Sequence, residues 1–96
     1  MTQTTTETIL AEQIPRIANG YRLQFEEAQD TWVLLYPEGM VKLNTAASHI
    51  LQRCDGKACV QEIVAELETA FDTQGLQDDV HGFLAVAREQ HWISLG

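Results

Sequence analysis

Trp32-Val33-Leu34-Leu35-Tyr36-Pro37-Glu38-Gly39-Met40-Val41-Lys42-Leu43-Asn44 is the stretch that decides the fold. Its first five residues are β-branched, aliphatic or aromatic, the composition of a well-covered strand. Pro37-Glu38-Gly39 is turn chemistry, because proline fixes φ and glycine tolerates positive φ. Met40 to Leu43 is too brief for a helix and follows the turn directly, so it reads as the returning strand of a hairpin. At Asn44 the period changes. A capping side chain there precedes Ala47, Ile50, Leu51 and Cys54, spaced i, i+3, i+4, i+7 like one buried helical stripe.

Upstream, Tyr21, Leu23 and Phe25 alternate with Arg22, Gln24 and Glu26, the period of a half-buried strand. Downstream, Asp55-Gly56 closes the first helix in this reading. A second helix carries Val60, Ile63, Val64, Leu67 and Phe71 on one face. After a breaker at Asp72 to Gly75, a third carries Leu76, Val80, Phe83, Leu84 and Ala87, with Asp78 and Asp79 in a first turn whose dipole favours acids. Trp92-Ile93 is expected to fold back on the core. The fold class is α+β: a three-stranded antiparallel sheet followed by a three-helix bundle that covers one of its faces.

The chain has 96 residues, 45% of them apolar, which allows one domain with a modest core. Residues 1 to 14 hold five threonines and scattered apolar positions, and read as a flexible tail before a domain spanning 15 to 96. That tail lacks a basic start and a long apolar run, so neither an export signal nor a membrane anchor is expected, and the chain is placed in the cytoplasm. Cys54 and Cys59 are then free thiols. Fourteen acids against six bases give a net charge of −8, which repels nucleic acid and anionic lipid.

The sequence offers little to catalysis. Cys54 and Cys59 form a lone Cys-x4-Cys without a second pair, and His49, His81 and His91 stand apart, so no metal site is expected. No phosphate loop, nucleophile elbow or Cys-His motif is present, no cofactor is implied, and an enzyme is not expected. His49 and His81 read as surface residues. What remains is the returning strand at Met40 to Leu43, a sheet edge whose free backbone groups another extended chain can complete.

Gly20-Tyr21-Arg22-Leu23, Trp32 to Leu35 with Pro37-Glu38, Leu43-Asn44, Cys54-Asp55-Gly56, Val60 with Glu62-Ile63-Val64, and Asp79-Val80 with Phe83-Leu84 together resemble the pyrroloquinoline quinone biosynthesis protein D family, PqqD. The resemblance runs from about Pro15 to Trp92. It implies a winged-helix-like peptide recognition element that binds the ribosomally made precursor peptide PqqA and presents it to the radical S-adenosylmethionine enzyme PqqE. In that wider group the peptide adds beside the third strand and against the third helix, which implies contacts at Met40, Val41, Lys42 and Leu43 and candidates among Val80, Phe83, Leu84 and Ala87, some of which must serve the core instead. The chain departs from the pattern at Gly39, where the family usually carries a basic residue. His91 replaces a common glycine, and Cys59 a common Ser or Thr. Two other arrangements compete: a DNA-binding winged helix, disfavoured by Asp78, Asp79 and Glu89 on the third helix, and a homodimer formed by edge pairing.

Overall fold

The computed structural model describes residues 9–96. In chain order these form β1 (Pro15–Ile17), β2 (Arg22–Glu26), β3 (Thr31–Tyr36), β4 (Gly39–Lys42), α1 (Thr45–Gln52), α2 (Val60–Ala70), α3 (Gln77–Glu89) and β5 (Ile93–Leu95). Strands β2, β3 and β4 make the expected antiparallel meander, with β3 in the middle. Three helices follow, so the α+β expectation holds.

Register sorts the sheet into two faces. Leu23, Leu34 and Val41 lie opposite one another on the helix-facing side, where Leu34 is fully buried in the main core. The same side carries two ring pairs, Phe25 with Trp32 at 5.5 Å and Tyr21 with Tyr36 at 5.6 Å. On the outer face, Arg22 Nη2 donates to Gln24 Oε1 at 2.8 Å, and Gln24 Nε2 donates to Glu26 Oε2 at 2.6 Å. Val33 sits on this face between its cross-strand partners Gln24 and Lys42, and is fully buried outside the main core cluster.

The helices close the other side. Asn44 Oδ1 accepts from the Ala47 amide at 2.7 Å, starting α1 where the period changes. Ala47, Ile50, Leu51 and Cys54 are buried as expected, although Cys54 lies beyond the last turn of α1, which ends at Gln52. Val60, Ile63, Val64 and Leu67 of α2 and Val80, Leu84 and Ala87 of α3 complete the core. Phe71 does not join them: at the C-cap of α2 it is 46% exposed.

Two features depart from the sequence reading. β1 and β5 form a second, two-stranded sheet with Ile17 opposite Ile93, joined further by Ala18 N to Trp92 O at 2.9 Å and Gly96 N to Ile14 O at 2.9 Å. The flexible tail expected over 1 to 14 falls partly on residues outside those described. Residues 9 to 14 are held in place, with Ile9 only 3% exposed. Carbonyls of Gln13 and Ala11 accept from Val60 N at 2.8 Å and Gln61 N at 3.0 Å, satisfying first-turn amides of α2 that have no partner within the helix. Threonine-rich composition concealed a segment ordered by these long-range bonds.

Both α2 and α3 end on a residue in left-handed conformation. After α3, His91 has φ 66°, with His91 N bonded to Arg88 O and Trp92 N to Ala87 O. After α2, Asp72 has φ 51°, with Asp72 N bonded to Thr69 O and Thr73 N to Glu68 O. These are paired Schellman bonds, for which glycine is the unstrained occupant. Replacing His91 by the glycine common in the family, His91→Gly, should therefore raise unfolding free energy by about 0.5–1 kcal/mol, read by urea denaturation.

Burial, and secondarily the neighbouring Asp55 carboxylate, pushes the Cys54 thiol from 9.0 up to about 12. Its Sγ lies 3.4 Å from the Ile50 carbonyl, a packed and unreactive setting. Because the folded state disfavours the thiolate, this contribution to stability is complete below about pH 9 and declines as pH rises toward 12. Unfolding free energy should fall more steeply over that window in the natural protein than in Cys54→Ala. Thiol-specific reagents at pH 8 should label Cys54 only after denaturation.

Candidate functional site

β4 pairs with β3 and has no second neighbour among the described strands, which makes it an edge. Its register decides which groups are free. Leu43 N donates to Trp32 O at 3.0 Å, so Leu43 belongs to a hydrogen-bonded pair across the ladder. Hydrogen-bonded and non-hydrogen-bonded pairs alternate along an antiparallel ladder. Val41 therefore also turns its amide and carbonyl toward β3, opposite Leu34, whereas Met40 and Lys42 point theirs outward. Their side chains are exposed on the outer face, Met40 by 47%.

The eight residues implied as peptide contacts divide by burial. Met40 and Lys42 are exposed, and Val41 and Phe83 are half-buried, with the Phe83 ring 6.4 Å from that of Trp92. Leu43, Val80, Leu84 and Ala87 are buried in the core. On α3 the stripe of Val80, Leu84 and Ala87 serves the core, and Val80 also lines an apolar groove. The open side of α3 carries Asp79, Gly82, Val86 and the half-buried Phe83 instead.

An apolar groove of about 530 Å³ opens where the start of α1, the end of α2 and the start of α3 converge. Ile50, Leu67 and Val80 line it together with Phe71 and Leu76, while Thr45, His49 and Asp79 supply polar groups. His49 and Phe71 meet edge to face with ring centres 4.8 Å apart. Sequence reading missed most of this site. His49 was expected on the open surface and Phe71 in the core, and both expectations fail because Phe71 falls at the helix end, beyond the turn that faces the core. Thr45 and Ala46 bring the groove to within three or four residues of Lys42 along the chain.

Among the described residues, no group of three or more His, Cys, Asp or Glu is placed to hold a metal ion. No helix there is long and apolar enough to cross a membrane. The exposed residues of α3 include Asp78, Asp79 and Glu89, an unfavourable surface for a DNA phosphate backbone.

The family profile described as Coenzyme PQQ synthesis protein D (PqqD) matches residues 31–93. Over 85 residues the chain is 49% identical to the PqqA binding protein of Pseudomonas aeruginosa (strain UCBPP-PA14), covering 88% of this chain and 92% of that protein. It is 54% identical over 81 residues to the PqqA binding protein of Kluyvera intermedia, covering 83% of this chain and 88% of that one. Among solved structures it is similar to the solution NMR structure of the PqqD truncation of Methylobacterium extorquens PqqCD, described as a stand-alone RiPP recognition element. That match has a TM-score of 0.70 at 29% identity, over 83% of this chain and 87% of that one. The crystal structure of PqqD from Xanthomonas campestris matches with a TM-score of 0.53 at 33% identity, over 77% of this chain and 84% of that one. With a family profile matching residues 31–93, about half of its residues identical to relatives over most of both chains, and the same fold, the chain belongs to the PqqD family.

Proposed function

We propose that this chain is a peptide-binding domain rather than an enzyme: it takes the precursor peptide PqqA as an added strand on β4 and presents it to PqqE in the cytoplasm. The observation that carries the reading is the free edge at Met40 and Lys42, from which the chain runs within three residues to Thr45 on the lining of an apolar groove. The names of the relatives, PqqA binding proteins, support the identity of the peptide. The description of the Methylobacterium extorquens structure as a recognition element supports the mode of action.

Strand addition divides the peptide's side chains by parity. Those level with Val41 and Leu43 point to the helix side, and those level with Met40 and Lys42 point to the outer face. One set is available for burial and specificity. The other remains open to a receiving enzyme.

The register makes the test specific. Lys42→Pro removes an outward amide and leaves the β3–β4 ladder bonds in place, so the fold should persist while affinity for synthetic PqqA falls at least about tenfold, read by calorimetric titration. Val41→Pro removes an amide that faces Leu34, and should cost stability instead. Full affinity in a folded Lys42→Pro protein would sink the strand-addition reading.

A further inference from the structure

The groove beside α1 and α3 is largely apolar, with Thr45, His49, Thr73 and Asp79 as its polar lining residues. Of the residues lining it, Asp79 alone carries a formal charge at pH 7 with His49 neutral, and no Lys or Arg lines it. Asp79 is exposed in the first turn of α3, and no ion pair to it is found among the described residues. Phe71, 46% exposed, lines the same groove, its ring meeting His49 edge to face. A carboxylate and a part-exposed aromatic ring on the same groove both complement a cation carried on an apolar stem.

The helix dipole accounts for an acid at Asp79 as far as helix stability goes. It does not account for an unpaired carboxylate and a large exposed ring sharing one groove. The groove also continues the free edge: Thr45 lies three residues beyond Lys42, about 10 Å along an extended backbone.

Resting on the peptide-binding reading above, we infer that the groove selects an extended peptide segment in which an apolar side chain is followed or preceded by Lys or Arg, the apolar group filling the groove and the cation pairing with Asp79 beside Phe71. Asp79 is then a specificity-determining residue of the peptide site. A cation there is partly solvated, so the contact favours the right peptide by a modest factor and is weakened by salt.

The test is a double-mutant cycle on the full chain. Synthetic PqqA, and variants with each of its Lys and Arg residues replaced in turn by Gln, are titrated against the natural protein, Asp79→Asn and Asp79→Lys. Asp79→Asn and one of the peptide replacements should each weaken binding about 3- to 10-fold at low salt, with no further loss when combined. Asp79→Lys should bind the natural peptide more weakly still, and recover when that peptide residue is Glu. Phe71→Leu, which keeps the apolar volume, should lose part of the same preference.

Binding of natural peptide that is indifferent to Asp79→Asn, or losses that simply add, would overturn the inference while leaving strand addition standing. No binding of PqqA to the natural protein would remove the parent reading itself. Sedimentation across a dilution series supplies the remaining arm: a dimer that dissociates on Asp79→Asn would show that a second copy of this chain fills the groove, which also overturns the inference.

Discussion

The pairing of β3 on both of its edges, with Leu34 fully buried on the helix side, is the constraint on which the rest depends. Side chains alternate faces with period two, so a slip of one residue would carry Leu34 out of the core and put Val33 in its place. Both are fully buried. Leu34 belongs to the main core cluster, whereas Val33 lies outside it on the face of Gln24 and Lys42. Once Leu34 is fixed, Val41 faces the core and the backbone of Met40 and Lys42 faces out. The free edge is therefore a consequence of core packing.

A second constraint closes the chain on itself. β1 and β5 pair the two ends, and the segment before β1 supplies the carbonyls that begin α2. α2 in turn carries Leu67 and Phe71 into the groove. The position of the groove thus rests on bonds between residues more than forty positions apart in the sequence, Ala11 to Gln61 and Gln13 to Val60. At the other end, Asp72 and His91 terminate α2 and α3 in a conformation that glycine adopts more readily. The first of these turns the chain directly after Phe71 and holds that ring at the groove mouth.

How far the fold could be read from sequence follows from these contacts. The hairpin at Trp32 to Leu43 and the stripes of α1, α2 and α3 were legible because each repeats a local period. β1 and β5 were not, since three residues cannot display a period and their partner lies at the far end of the chain. Ile9 begins an apolar run of three residues, Ile9-Leu10-Ala11, too short to display a period either. At the site, the edge strand was legible from strand order, and its outward groups became assignable once the Leu43–Trp32 bond was known. The inward positions Val80, Leu84 and Ala87 were indistinguishable from ligand contacts, because hydrophobic periodicity reports a buried face without saying what buries it. His49 and Phe71 gave no signal at all, since their pairing depends on how α1 meets α2.

The division of labour between edge and groove follows from magnitudes. Ordering about five peptide residues costs roughly 1–2 kcal/mol each in backbone freedom. The amides and carbonyls of Met40 and Lys42 return about 0.5–1.5 kcal/mol per hydrogen bond made, and the edge is too short to offer many more. Backbone pairing alone therefore loses to entropy, and the deficit has to be met by apolar burial at about 1.5–3 kcal/mol per large side chain. On the proposed strand addition, that burial falls to the apolar groove lined from Thr45 onward. A short, free edge would then align an extended peptide weakly, and the groove would retain the one whose side chains suit it.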